Sequence, residues 1–409
     1  MLVNDAASRL AELDPAQNEY ASSFVDALLD SARELGASDV HVQPTQDQLE
    51  IRWRLDGVLQ CVGQFPSGEA TDVVTRLKVL AELLTYRTDV PQEGRIRQSA
   101  DQMEVRVSTF PTLHGERAVI RLLPSTNQFH LVTDLGLPGD IHRELRSLLA
   151  ETSGALLITG PAGSGKTTTA YACLRELRRD ADGSRCIVSM EDPIEVAVEG
   201  ISQSQVNEAS GFDLATGLRS ILRQDPDVIL VGEIRDRNCA ELAMQAALTG
   251  HLVITTFHAG SAAEAVSRML EMEIEPYVLR SGTLAVISQR LLRRLCECAK
   301  DSTDDAAKLG LAVDRVKTAT GCKKCGGTGY RGRLVVAEMF TARPTEMGRA
   351  ILSRADSAAL EKLAIDAGMT TRWQRACAAV EEGVTTPAEV RRVFGLFDGM
   401  SCPSLDREG

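Results

Sequence analysis

Eight consecutive residues, Gly160-Pro161-Ala162-Gly163-Ser164-Gly165-Lys166-Thr167, fit the pattern G-x-x-x-x-G-K-[ST] at every fixed position. Glycines at those places let a backbone wrap so tightly that successive N–H groups, and the start of a following helix, face negative charge. Lys166 in such a loop reaches the β- and γ-phosphates of a nucleotide, and the Thr167 hydroxyl is placed to ligate Mg2+, with Thr168 continuing the turn. The chemistry this spacing supports is phosphoryl transfer from ATP. An apolar run, Ala155–Thr159, precedes the loop and a helical pattern, Thr168–Leu177, follows it, which is the setting the motif requires.

Such a loop needs a carboxylate at a neighbouring strand end. Asp227-Val228-Ile229-Leu230-Val231-Gly232-Glu233 is an apolar run closed by an acid, and Glu233 can there hold the Mg2+ shell or polarise an attacking water. A second acidic cluster, Glu191-Asp192-Pro193-Ile194-Glu195, follows the apolar run Cys186–Met190. Pro193 ends that strand, so its carboxylates are expected at the edge where open α/β sheets bind ligands. Helix-capping acids on a solvated loop have the same composition. Gly250-His251-Leu252-Val253-Ile254-Thr255-Thr256-Phe257-His258 brackets one more apolar strand with two of the six histidines. A neutral imidazole there can sense a γ-phosphate or position water, and it can equally be an ordinary core or surface histidine.

Cys322-Lys323-Lys324-Cys325-Gly326-Gly327 has the form of a zinc knuckle, in which glycines free N–H groups to turn toward thiolates. Its companion pair, Cys296-Glu297-Cys298, is one residue short of the usual spacing. No histidine lies beyond His258, so a tetrahedral site here needs all four sulfurs. Zn2+ so held is structural, because no coordination position stays open; the alternative is a degenerate insert with free thiols. Ten cysteines in 409 residues, four of them in this cluster, suit a reducing cytosol better than a disulfide scaffold.

The elements that must position these residues fall into two styles. Tyr20 to Leu35 puts Phe24, Leu28, Ala32 and Leu35 on one helical face. Leu49, Ile51, Trp53 and Leu55 then alternate with polar residues up to a hairpin turn at Asp56-Gly57, Met103, Val105 and Val107 alternate likewise, and Ala118 to Leu123 reads as a strand. From Ile141 helical patterns alternate with four short apolar strands, Ala155–Thr159, Cys186–Met190, Val228–Val231 and Leu252–Thr256, the signature of a parallel α/β sheet. The expected division is an N-terminal tail over 1–19, a small α+β domain over 20–124, a linker over 125–140 and a P-loop domain over 141–397, then a tail over 398–409. The P-loop domain includes the cysteine insert, 293–335, and C-terminal helices, 342–397.

A net charge of −12 and only 4% aromatic residues argue against a general nucleic-acid binder, which needs a basic footprint and stacking platforms. No window reaches the roughly 18 apolar residues that span a bilayer. Met1 to Asp14 lacks a cationic segment before an apolar one and so is not expected to be a secretory signal. A cytoplasmic location is expected, with any membrane role exerted through a partner.

Together the motifs resemble those of the type II secretion and type IV pilus assembly ATPase family. The P-loop, the acidic box Glu191–Glu195, the segment Arg223-Gln224-Asp225-Pro226-Asp227 through Glu233-Ile234-Arg235-Asp236 and the histidine box Gly250–His258 stand in the family's order. Ser38-Asp39-Val40-His41, Arg54-Leu55-Asp56-Gly57 and Pro91-Gln92-Glu93-Gly94-Arg95 match its N-terminal domain, so the resemblance runs from about Tyr20 to about Phe394. It implies a RecA-like P-loop ATPase domain preceded by the small α+β domain, and a hexameric ring working on an inner-membrane platform protein. It makes Lys166, Thr167, Glu195, Glu233 and His258 the catalytic set, and Arg95, Arg106 and Arg117 either nucleotide contacts or solvated strand residues. Three departures stand out. The chain is too short for the extra N-terminal docking domain of the longer members, Ala259-Gly260-Ser261 follows His258 where the family often has Thr-Asn-Asp, and one cysteine pair is shortened. The function implied is an ATP-driven motor of secretion or pilus assembly; a nucleotide-binding scaffold with little turnover and a DNA-translocating motor are the rival readings.

Overall fold

A computed structural model describes residues 3–68, 72–96, 105–122, 130–342 and 345–395. The expected strand residues Met103 and Leu123, the start of the linker and the tail 398–409 lie outside the described residues. Those described fall into two compact units, one drawn from Met1–Ser125, Leu295–Lys300 and Ala319–Gly332, the other from Thr126–Arg294, Asp301–Thr318 and Arg333–Gly409.

The first unit has a six-stranded antiparallel sheet of β1 (Asp39–Pro44), β2 (Leu49–Leu55), β3 (Val58–Phe65), β4 (Gln92–Ile96), β5 (Val105–Thr112) and β6 (Gly115–Leu122), in the order β3-β2-β1-β6-β5-β4. Period-two alternation turns Ile51, Trp53, Val105, Val107, Ala118 and Ile120 inward. There they share a core with α1 (Val3–Ala11), α2 (Tyr20–Glu34) and α3 (Val73–Leu80). Residues 3–11, expected within a tail, are helical because Val3, Ala6 and Leu10 recur at helical spacing and bury themselves in that core. The segments carrying the four clustered cysteines also belong to this unit, not to the P-loop domain that the sequence suggested. One tie is the Gly332 N–H, which donates to Asp56 in the β2–β3 turn at 3.0 Å.

In the second unit α4 (Gly139–Leu149), β7 (Gly154–Thr159), α5 (Lys166–Asp180), β8 (Ile187–Glu191), β9 (Ser202–Gln205), α6 (Leu214–Ile221), β10 (Val228–Val231), α7 (Arg237–Leu248), β11 (Leu252–Phe257), α8 (Ala262–Glu271), α9 (Pro276–Gly282) and β12 (Thr283–Leu295) follow one another. A small ribbon of β13 (Lys300–Ser302) and β14 (Val316–Thr318) precedes β15 (Tyr330–Thr341) and the helices α10 (Thr345–Leu352), α11 (Ser357–Asp366), α12 (Arg372–Glu381) and α13 (Pro387–Phe394). The sheet order is β15-β12-β7-β11-β10-β8-β9. Ala155, Leu157 and Val253 feed a core with α7 and α8, whereas Leu156, Ile158 and Ile254 feed one with α4 and α5. Both faces of the sheet are thus covered, which explains why its central strands read as unbroken apolar runs. The far end of the expected linker is part of this unit: Val132 is buried and its N–H donates to Glu176 at 3.2 Å. Among the described residues no helix is long and apolar enough to cross a membrane.

Candidate nucleotide site

Thr159, the last residue of β7, stands in register with Phe257 of β11 and Ser288 of β12. Because the three strands run parallel, the residues that follow, Gly160, His258 and Gln289, emerge together at the C-terminal edge of the sheet. Gly160 has φ +149°, and a Cβ there would lie 2.4 Å from Ser164 Oγ and 2.6 Å from the Gln289 carbonyl, so no side chain fits. Lys166, buried in the first turn of α5, donates to the carbonyls of Gly160 at 2.9 Å and Pro161 at 3.1 Å. Burial lowers the pKa of its ammonium, an effect that the nearby Glu233 and Glu195 carboxylates oppose. Thr167 is half-buried beside it and Thr168 is exposed.

The turn after β10 is fixed from both sides, by Gly232 N–H on Met190 O at 2.9 Å and by the Thr256 hydroxyl on Gly232 O at 2.7 Å. It presents Glu233 Oε1 at 3.3 Å from His258 Nε2 and 3.8 Å from Arg235 Nε. Glu233, Arg235, His258 and Arg268 border a cleft of about 420 Å³. The two histidines of the box separate here. His258 stands beside Glu233, whereas His251 precedes β11 at its other end, its Nδ1 2.9 Å from the Ala246 carbonyl.

The acidic cluster divides in the same way. Glu191 is buried and accepts from the Ser189 hydroxyl at 2.6 Å, Gln203 Nε2 at 3.0 Å and the Tyr171 hydroxyl. The phenol oxygen accepts in turn from the Glu195 N–H at 3.2 Å, and the Glu195 side chain is exposed. Burial, then the hydrogen bond to Glu191, pushes the Tyr171 pKa far up, so the phenol keeps its proton.

Tyr171 and Gln289 are site residues that sequence reasoning passed over. Gln289 is buried; its Nε2 donates to the Ser164 carbonyl at 2.9 Å and its Oε1 accepts from the Thr169 hydroxyl at 3.1 Å. The available signal was a polar trio, Ser288-Gln289-Arg290, between the apolar stretches Leu284–Ile287 and Leu291–Leu292. After His258, Ser261 caps α8 by accepting from Glu264 N–H at 3.0 Å, and Glu264 accepts from Gly260 N–H at 2.6 Å.

Arg95, Arg106 and Arg117 belong to the first unit and share the sheet face opposite its core. Arg95 and Arg106 are direct cross-strand partners, and Arg117 Nη2 lies 2.8 Å from His41 Nδ1. Burial, then Arg117 and Arg54, lowers the His41 pKa, which keeps its ring a neutral acceptor for that guanidinium.

The four cysteines meet. Sγ of Cys296 and Cys322, of Cys298 and Cys325, and of Cys322 and Cys325 are each 3.8 Å apart, and all four atoms lie within 4.8 Å of one another. An ion bonded to four sulfurs at about 2.3 Å in tetrahedral geometry sets them roughly 3.8 Å apart, so the cluster fits one. Burial raises the Cys325 pKa, but N–H groups of Cys322 at 3.1 Å and Gly329 at 3.2 Å outweigh it and hold the thiol down to about 6. N–H groups aimed at the sulfur stabilise the thiolate form that a metal ion would bind.

Residues 15–392 match the protein family described as Type II/IV secretion system protein. The chain is 42% identical over 380 residues to the type II secretion system ATPase E of Vibrio cholerae, covering 90% of this chain and 74% of that one. It is 37% identical over 381 residues to the type IV pilus assembly ATPase PilB of Thermus thermophilus, covering 90% of this chain but only 42% of that longer protein. Among solved structures, the Legionella pneumophila ATPase DotB superposes with a TM-score of 0.66 over 90% of this chain and 94% of that one, at 22% identity, a likeness of fold.

Proposed function

The chain belongs to the type II/IV secretion system protein family, and on that premise we propose that it is an ATP-hydrolysing motor of a type II secretion or type IV pilus assembly machine. The observation that carries this reading is the meeting, at one sheet edge, of the P-loop lysine with Glu233 and His258. Lys166 would bind the β- and γ-phosphates. Thr167 and Glu233 would hold Mg2+, which when bound supplies charge to the phosphates. Glu233 or the exposed Glu195 would accept a proton from the attacking water, with His258 holding one Glu233 oxygen in place. Arg95, Arg106 and Arg117 would supply further positive charge to the nucleotide, as family membership implies. Cys296, Cys298, Cys322 and Cys325 would hold a structural Zn2+ with no position open for chemistry. Assembly as a hexamer, and work on an inner-membrane platform protein from the cytoplasmic side, complete the proposal.

Steady-state ATP hydrolysis tests it. Lys166→Ala should abolish turnover and weaken nucleotide binding, whereas Glu233→Gln should bind ATP and hydrolyse it at least about a hundredfold more slowly. Wild-type turnover by either variant would overturn the site assignment, and a wild-type chain that binds ATP without hydrolysing it would make the protein a scaffold.

A further inference from the structure

We infer that Gln289 and Arg290, adjacent on β12, tie the P-loop to the turn that carries His258, with Arg290 acting as a positioning residue for hydrolysis. The inference rests on reading this edge of the sheet as a hydrolytic nucleotide site.

In the sheet β12 and β11 flank β7, the strand that leads into the P-loop. Anything joining the middle of β12, level with the end of β7, to the turn after β11 must therefore span two strand spacings, roughly 9.6 Å, which calls for a long side chain. Arg290 makes that span. Its Nη2 donates to the Gly260 carbonyl at 3.0 Å while its Nη1 holds the Gln289 carbonyl at 3.1 Å. One residue earlier the Gln289 amide grips Ser164 in the P-loop and Thr169 in α5. The pair thus clasps the phosphate loop with one member and the histidine turn with the other.

The turn is held at further points. Arg268 donates to the His258 carbonyl and sits 5.4 Å from the centre of the Phe257 ring. Arg372 also donates to the Gly260 carbonyl and is anchored by buried Glu338, which accepts from the Ala262 N–H at 2.9 Å. These anchors fix the turn to α8, α12 and β15, and Arg290 adds the link to the strand that grips the phosphate loop. Two guanidiniums sharing one carbonyl is an unfavourable pairing that Glu264 and Glu338 compensate; burial, then Arg372, holds the Arg290 pKa down to about 10. A half-buried guanidinium bonded to main-chain carbonyls of two different segments suits a positional task better than surface solvation.

The test uses the full chain with Mg2+ and ATP or a non-hydrolysable analogue. Arg290→Gln should leave the nucleotide Kd within about threefold and lower kcat by about 10- to 100-fold, the effect of a small misplacement. Combined with His258→Gln it should slow turnover no further than His258→Gln alone, because both changes remove one positioning path. Arg290→Lys, which keeps the charge balance with Glu264 and Glu338, should recover part of kcat, and it carries the same cycle should Arg290→Gln not fold. An unchanged kcat, a loss seen equally in Kd, or rate effects that multiply in the double variant would overturn the inference. Hydrogen exchange decides it without turnover. Analogue binding should protect amides 258–262 along with the P-loop in the wild type, and the P-loop alone in Arg290→Gln. Identical protection in both would overturn the coupling, whereas a wild-type chain that hydrolyses no ATP would defeat only the functional reading.

Discussion

The Tyr171 hydroxyl donates to Glu191 and accepts from the Glu195 N–H, so one phenol fixes both ends of the acidic box. Without it Glu191 keeps Ser189 and Gln203 but loses a buried donor, and the segment that presents Glu195 loses one of its anchors while keeping the Ile194 N–H bond to Gln205. Tyr171→Phe should therefore lower the unfolding free energy by about 1–3 kcal/mol, read from urea denaturation, and reduce hydrolysis more than ATP binding. Unchanged denaturation together with unchanged turnover would make the phenol idle. Lys166 was legible from the spacing of its loop motif, and Glu233 and His258 because each follows a short apolar run whose strand end could be read locally. Tyr171 and Gln289 were not, because their partners lie 20 and 125 positions away and only the sheet order brings them close.

Burial decided which elements could be read. The four strands around the P-loop are covered on both faces, so each shows as a compact apolar run. β12 and β15 carry Arg290, Arg293, Arg294, Arg331 and Arg333 along half-exposed stretches, which masks their strand character. The four-residue β9, Ser-Gln-Ser-Gln, has no apolar residue to betray it. The shortened cysteine pair is accommodated where β12 ends: the Cys296 N–H bonds Gly329 O, and the Ala299 N–H turns back to Cys296 O, both at 2.9 Å. Both sulfurs of the pair can therefore address one ion. Protein purified without added metal should contain about one zinc per chain by elemental analysis, since small knuckles owe much of their folding energy to the metal. Cys322→Ser should lower that content and raise protease sensitivity over residues 295–332, while ATP binding persists. Metal-free protein with four freely titrating thiols would show that the cluster has lost its ion.

At the scale of the whole chain, the strand order matters more than any single contact. β7 lies between β11 and β12, and β12 is in turn covered by β15. A chain ending at Gly282 lacks both later strands and leaves Leu156, Ile158 and their neighbours on an open edge, so it should be recovered in aggregates. Sedimentation of the expressed product checks this, and a soluble monomer with cooperative unfolding would refute it. The same order has a consequence for the protein's birth on the ribosome. Ser164 and the Gln289 that grips it are 125 positions apart, roughly 6 to 25 s of translation at about 5–20 residues per second. Throughout that interval the nascent P-loop strand has at least one flank unpaired, and the future candidate site is a sticky edge that needs shelter in the translating cell.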